Sequence, residues 1–246
     1  MPGGIYVALS GMQHQAEQLD QLASDIANSS TSGYKTQRSA STASERPSFS
    51  KALKSAIDVA PGETKIDFRP GSITPTGRDL DFAIDGPGFF VVETPDGLQY
   101  TRNGHFQVAA DGTVTTADGL IVQGEIGEDE YGPLVLPAGA VGVEKDGTVL
   151  VDSLPSGKFR LADFPNYDVL TRSVAGRFSV RADVEPVNPA EVVLRGGALE
   201  RSNVSMADRM VQVTQVSRNF EALQRGLSVL FDEIDGHAIT ELRRRP

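Results

Sequence analysis

The sequence predicts an α+β fold: long N- and C-terminal helices paired as a coiled-coil-like core, with a central all-β domain between them. Three observations predict it. Near the start, Ile5, Met12, Leu19 and Ile26 recur every seven residues, interleaved with Leu9, Ala16 and Ala23. Near the end, Met206, Val213, Phe220, Leu227 and Ile234 recur every seven, with Val216, Leu223 and Leu230 three residues on. Between them, Asp-Gly and Asn-Gly pairs punctuate short apolar runs. A sustained a/d repeat marks helices packed on helices, and closely spaced turn pairs mark short antiparallel strands.

The elements follow in order. Residues 1–33 form an N-terminal assembly helix, stopped by the polar, Gly-terminated run Asn28-Ser29-Ser30-Thr31-Ser32-Gly33. Residues 34–78 are rich in Ser, Thr, Ala, Lys, Arg and Pro, and read as an extended arm or linker with a short helix around Phe49 to Ile57. Such a stretch buries too little to offset ordering entropy of ~1–2 kcal/mol per residue. Residues 79–185 form the central β domain. Phe89-Phe90-Val91-Val92 is a strand after the Gly86-Pro87-Gly88 turn, and Gln99 to Val108 alternates, with Asn103-Gly104 supplying a hairpin turn. Asp111-Gly112, Asp118-Gly119 and Asp146-Gly147 separate further strands, at a spacing that suits a sandwich or open barrel. Residues 186–204 return the chain through Pro186, Pro189 and the strand Val192-Val193-Leu194. Residues 205–246 are the C-terminal assembly helix, with Ser205 and Asp208 resembling a capping box. From Met206 to Ile234 it would extend about 43 Å.

Composition excludes several functions. The net charge of −10 argues against nucleic-acid and anionic-membrane partners, which demand clustered positive charge. The basic run Arg243-Arg244-Arg245 reads as a solvated tail. Without cysteine there is no disulfide, zinc-thiolate site or thiol nucleophile. No apolar run approaches the ~20 residues that cross a bilayer, so no direct membrane insertion is expected. The start lacks the basic and apolar regions of a cleavable secretion signal.

Chemistry is equally sparse. His14, His105 and His237 form no i, i+3 or i, i+4 pair, so no metal site is expected. The acidic groups Asp79/Asp81/Asp85 and Glu125/Glu128/Asp129/Glu130 lack the alternation of a calcium loop. Gly86-Pro87-Gly88 lacks the Lys-Ser/Thr of a phosphate loop and leads into a strand. No catalytic residue, cofactor or small-molecule substrate is expected; the chain is not read as an enzyme. The helical stripes point elsewhere. Each is narrow and would need partners on both flanks, and each buried Leu, Ile, Phe or Met is worth ~1.5–3 kcal/mol. Assembly recovers that surface where a lone pair of helices leaves it wet.

The residues also carry a family resemblance. Asp25-Ile26-Ala27-Asn28-Ser29-Ser30-Thr31-Ser32-Gly33-Tyr34-Lys35 resembles the Asn-Leu-Ala-Asn-x-x-Thr-x-Gly-Phe-Lys signature of the bacterial flagellar rod and hook axial proteins, with Asp25 and Tyr34 as mild departures. Leu80-Asp81-Phe82-Ala83-Ile84-Asp85-Gly86-Pro87-Gly88-Phe89-Phe90 and Tyr100-Thr101-Arg102-Asn103-Gly104-His105-Phe106 are similar to that family's central domain. Gly197-Ala198-Leu199-Glu200-Arg201-Ser202-Asn203-Val204 resembles the entry to its terminal helix, and Ser217-Arg218-Asn219-Phe220-Glu221 falls inside that helix.

The resemblance implies a D0-type helical core, a D1-type β domain and a structural axial subunit of the basal-body rod. Such a subunit polymerises through its terminal helices and transmits torque from motor to hook. Length and Arg218-Asn219-Phe220-Glu221 look most like the proximal-rod member, with the distal-rod member as alternative. A rod-associated peptidoglycan hydrolase is the alternative from another class, but no block of residues is left for its extra domain. Expected partners are other copies, proximal and distal rod proteins, and the flagellar type III export apparatus, which needs no cleaved signal. The candidate assembly interface is Ile5, Leu9, Met12, Leu19, Ile26 and Asn28 at one end. At the other it is Met206, Val213, Val216, Phe220, Leu223, Leu227, Leu230 and Ile234.

Overall fold

Strand and helix signals in the sequence resolve into two compact units in the computed structural model, which describes residues 2–39, 64–127, 130–180, 184–189 and 192–243. One unit gathers residues 1–27, 37–65 and 205–246; the other gathers 28–36 and 66–204. The helix expected around Phe49 to Ile57 and the acidic pair Glu128/Asp129 lie outside the described residues.

Among its described residues the first unit holds the α-helices α1 (Pro2–Ala27) and α2 (Met206–Arg243) and the strand Gln37–Ser39, which pairs with Thr64–Ile66. The cap on α2 forms as its sequence suggests: the Asp208 amide donates to Ser205 Oγ at 3.4 Å, and the Arg209 amide to the Ser205 carbonyl at 3.0 Å.

The expected coiled-coil-like pairing is corrected by the burial of these helices. Among the described side chains no heptad residue of either helix is buried. Leu9 is 48% exposed and Met206 46%. Met12, Leu19, Ile26, Val213, Val216, Phe220, Leu223 and Leu227 are half-buried. A knobs-into-holes seam needs bulky side chains at successive a and d positions. Ala16 and Ala23 supply none, and both are exposed. The buried side chains on α1 are instead Leu22 and Asp25, off the stripe, with Asp25 Oδ2 3.2 Å from Arg209 Nε. What stands is a central β domain with two long helices that leave their stripes unfinished.

The second unit is built on a large, branched antiparallel sheet. The strand Phe89–Thr94 runs through its middle, pairing with Gly97–Thr101, Ile121–Gly127 and Leu161–Ala162. Successive side chains of a strand point to opposite faces. Phe90 and Val92 therefore enter one apolar core with Phe82, Phe106, Val122 and Phe159, while Phe89 and Val91 enter a second with Tyr100, Phe164 and Phe178. Burial on both faces is why this strand reads as a continuous apolar run. Phe82, Phe90, Phe106 and Phe159 meet at centroid distances of 4.9–6.3 Å, in edge-on and tilted arrangements that favour aromatic pairs.

The Asp-Gly turns behave as read: Phe106–Val108 pairs with Val114–Thr116 across Asp111-Gly112, and Val141–Val143 with Thr148–Val151 across Asp146-Gly147. Asn103-Gly104 does not. Gly97–Thr101 and Phe106–Val108 find different partners, so no hairpin closes there. Instead the Phe82 amide donates to the Gly104 carbonyl at 3.0 Å and the Phe106 amide to the Leu80 carbonyl at 3.1 Å. A Cβ at Gly104 would sit 1.8 Å from the Phe82 carbonyl oxygen, so the glycine serves close backbone approach rather than a tight turn.

Candidate assembly site

The candidate assembly site is the pair of stripes on the helical unit. α1 and α2 approach at Gly11, where an added Cβ would lie 3.6 Å from Leu223 Cδ1. The stripes stay partly wet: Leu9 on α1 and Met206 on α2 are exposed large hydrophobics. The backbone of Ile5, Leu230 and Ile234 is helical; their side chains lie outside the described residues. Asn28 belongs to the other unit and is used locally: its Oδ1 accepts from Thr31 Oγ1 at 3.2 Å and its carbonyl from the Thr31 amide at 3.1 Å. That turn ends the α1 segment.

A separate polar cluster lies wholly within the β unit, and sequence reasoning missed it. Lys35 and Glu200, 165 positions apart, are each 1% exposed and form an ion pair. Lys35 Nζ also donates to the Arg69 carbonyl at 3.0 Å. The Glu200 carboxylate takes the Gly71 amide at 2.8 Å and Arg102 Nη1 at 3.4 Å. Arg102 in turn reaches the carbonyls of Ile84 at 3.3 Å and Gly86 at 2.8 Å. One carboxylate thus ties together the signature segment, the return from the arm, the Gly-Pro-Gly turn and the exit strand Ala198–Glu200. Burial lowers both cations' pKa values, opposed by the pull of Glu200.

Backbone and amide groups complete this clasp. The Gly33 amide donates to the Glu200 carbonyl at 2.8 Å, the Thr36 amide to Asn203 Oδ1 at 2.8 Å, and the Asn203 amide to the Tyr34 carbonyl at 3.3 Å. Arg172 donates to the Lys35 carbonyl and lies over the Tyr34 ring at 4.4 Å. Gly33 has φ +69° and a Cβ there would sit 2.3 Å from the Arg102 carbonyl carbon, so glycine is required twice over. The stretches by which the chain enters and leaves this unit therefore lie side by side on it.

The clasp is held by charges that carry no periodicity, and charged residues are ordinarily exposed. The usable signal was that Tyr34-Lys35 and Glu200 to Asn203 fall in the two motifs adjoining the helices. His105, whose Nδ1 lies 2.7 Å from Asp81 Oδ1, bridges two backbone stretches of the same unit. No helix among the described residues is long and apolar enough to cross a membrane.

Comparison with known proteins finds the same segments. Residues 5–35 match the flagella basal body rod protein family, 83–151 the flagellar hook protein FlgE/F/G D1 domain, and 195–232 the flagellar basal body rod FlgEFG protein C-terminal region. The chain is 30% identical to the flagellar basal-body rod protein FlgF of Salmonella typhimurium, over 97% of either chain. It is 30% identical to FlgF of Escherichia coli, over 94% of this chain and 95% of that one. It is also 30% identical to the flagellar basal-body rod protein FlgG of Bacillus subtilis, over 89% and 91%.

Proposed function

From the premise that this chain belongs to the flagellar basal-body rod protein family, we propose how it is held in the rod. It is a structural subunit of the basal body and not an enzyme, as its relatives are. The half-exposed stripes of α1 and α2 are the surfaces that dock on other copies and on neighbouring rod proteins. The single observation that carries this reading is that Val213, Val216, Phe220, Leu223 and Leu227 are half-buried in one chain, with none fully covered. Neighbouring subunits covering both flanks would recover ~1.5–3 kcal/mol per large apolar side chain, repeated at every subunit. Torque then passes through many repeated apolar contacts, each individually weak.

Within the rod we assign the proximal position. Support comes from the FlgF relatives of Salmonella typhimurium and Escherichia coli, matched over 97% and 94% of this chain, against 89% for the Bacillus subtilis FlgG at the same 30% identity. The distal position is the alternative, and an image of the basal body in which side chains identify each rod layer separates them. We further propose that the subunit reaches the rod through the flagellar type III export apparatus without a cleaved signal.

The docking reading is tested by Phe220→Asp in the full chain. Buried against a neighbour, the carboxylate has no partner and its desolvation is costly. The variant is expected to leave the β unit folded by circular dichroism and to be missing from isolated basal bodies, with motility lost. Normal incorporation and swimming would overturn it.

A further inference from the structure

We propose that Lys35 is a latch: its ammonium straps the segment 28–36 onto the β unit and can leave while the Glu200–Arg102 pair stays closed behind it. Three observations carry this beyond the rod assignment, on which it does not depend.

The first is charge. The cluster holds two buried cations, Lys35 and Arg102, against the single carboxylate of Glu200. Breaking a buried pair is costly because it leaves an uncompensated charge. Departure of Lys35 does not do that to Glu200, which keeps Arg102 and the Gly71 amide. The burial that lowers the Lys35 pKa works in the same direction, favouring loss of the ammonium from the site.

The second is packing. Neither apolar core draws a residue from 28–36; Tyr34, although buried, packs under Arg172 instead. Detaching the segment therefore opens no cavity among the Phe side chains. The third is attachment. Beside Lys35 the segment is attached by polar links, among them Gly33 to the Glu200 carbonyl, Thr36 to Asn203, Asn203 to Tyr34, the Asp67 amide to the Thr36 carbonyl, and Arg172 to the Lys35 carbonyl and over the Tyr34 ring. Net hydrogen bonds of this kind are individually modest and exchange with water. The strap can thus open as a local unit, in the manner of low-stability segments elsewhere in proteins. Opening would turn residues 28–36 into a loop without unfolding the rest of the β unit.

The test is amine labelling of the full chain with an acetylating reagent, read by mass spectrometry, alongside amide hydrogen exchange. Lys35 is expected to label at least a hundredfold more slowly than exposed Lys145. It should also label at least tenfold faster than the opening frequency of the core amides of Val91 and Val92 allows. In Lys35→Met, exchange across 31–36 should rise at least tenfold while the Val91 and Val92 amides keep their protection. Labelling of Lys35 only at the opening frequency of those core amides would overturn the latch and make the residue part of the folding core. So would a Lys35→Met variant that loosens the core and the segment equally.

Discussion

The β unit and the helical unit spend their apolar residues differently. In the β unit Phe82, Phe90, Phe106 and Val122 are completely buried, and charges such as Glu200 are buried with their partners. In the helical unit the largest described apolar side chains stop half-way, and the fully buried groups are Leu22 and Asp25, which sit to one side of the stripe. A unit whose exposed apolar residues, such as Ile126, Leu154 and Val174 of the β unit, fall at no regular spacing presents no apolar row. One that leaves a regular row of them half-covered has a surface suited to further copies, because the apolar area it still exposes is worth burying. The contrast fits the roles proposed above: a β unit closed around two apolar cores, and helices whose stripes dock on further copies.

The largest expected effect breaks the closed side. Phe90→Ala removes a ring packed at 5.1 Å from Phe106 and 5.4 Å from Phe159. It should cost about 3–5 kcal/mol in unfolding free energy by denaturant titration. A cost under 1 kcal/mol would mean that this core is loosely packed and the contrast false.

Asp25→Asn addresses the helical side. It removes the charge that meets Arg209, and should cost about 1–3 kcal/mol, because Arg209 keeps its burial and loses its anion. The cost should appear as faster hydrogen exchange in α1 and α2 with the β unit unchanged. Equal loosening of both units would show that they do not hold their stability separately.

The legibility of the chain follows the same division. The strand Phe89–Thr94 was readable because burial on both faces leaves an unbroken apolar run. The stripe positions on α1 and α2 were readable because the heptad is a period. The pairing inferred from them was not, because periodicity records where apolar residues fall and not whether Ala16 and Ala23 can fill a partner's holes. Asn103-Gly104 looked like a hairpin because turn chemistry is local, whereas the strands it joins are claimed by Phe89–Thr94 on one side and Val114–Thr116 on the other. The Lys35–Glu200–Arg102 clasp was invisible, being assembled from charges 98 and 165 positions apart.

The smallest effect sharpens the comparison at an exposed turn of the β unit. Asp146 accepts from the Thr148 amide at 3.1 Å, and this bond first, then the Thr148 hydroxyl, holds its carboxyl below the ordinary 3.8. A carboxyl lowered on folding contributes stability that is present above its unfolded value and lost as pH falls through its folded value. Asp146→Ala should therefore flatten the acid limb of the stability curve below about pH 4. A limb unchanged in the variant would remove Asp146 as its source.

The chain has no cysteine, so a single introduced thiol reports one place cleanly. Val216→Cys in the middle of the α2 stripe, challenged with a maleimide, tests most directly whether that row is covered by other subunits. The expected result is ready labelling of the purified chain and strong protection in isolated basal bodies. Equal reactivity in both, with the variant incorporated and the cells swimming, would contradict the docking role assigned to the stripe.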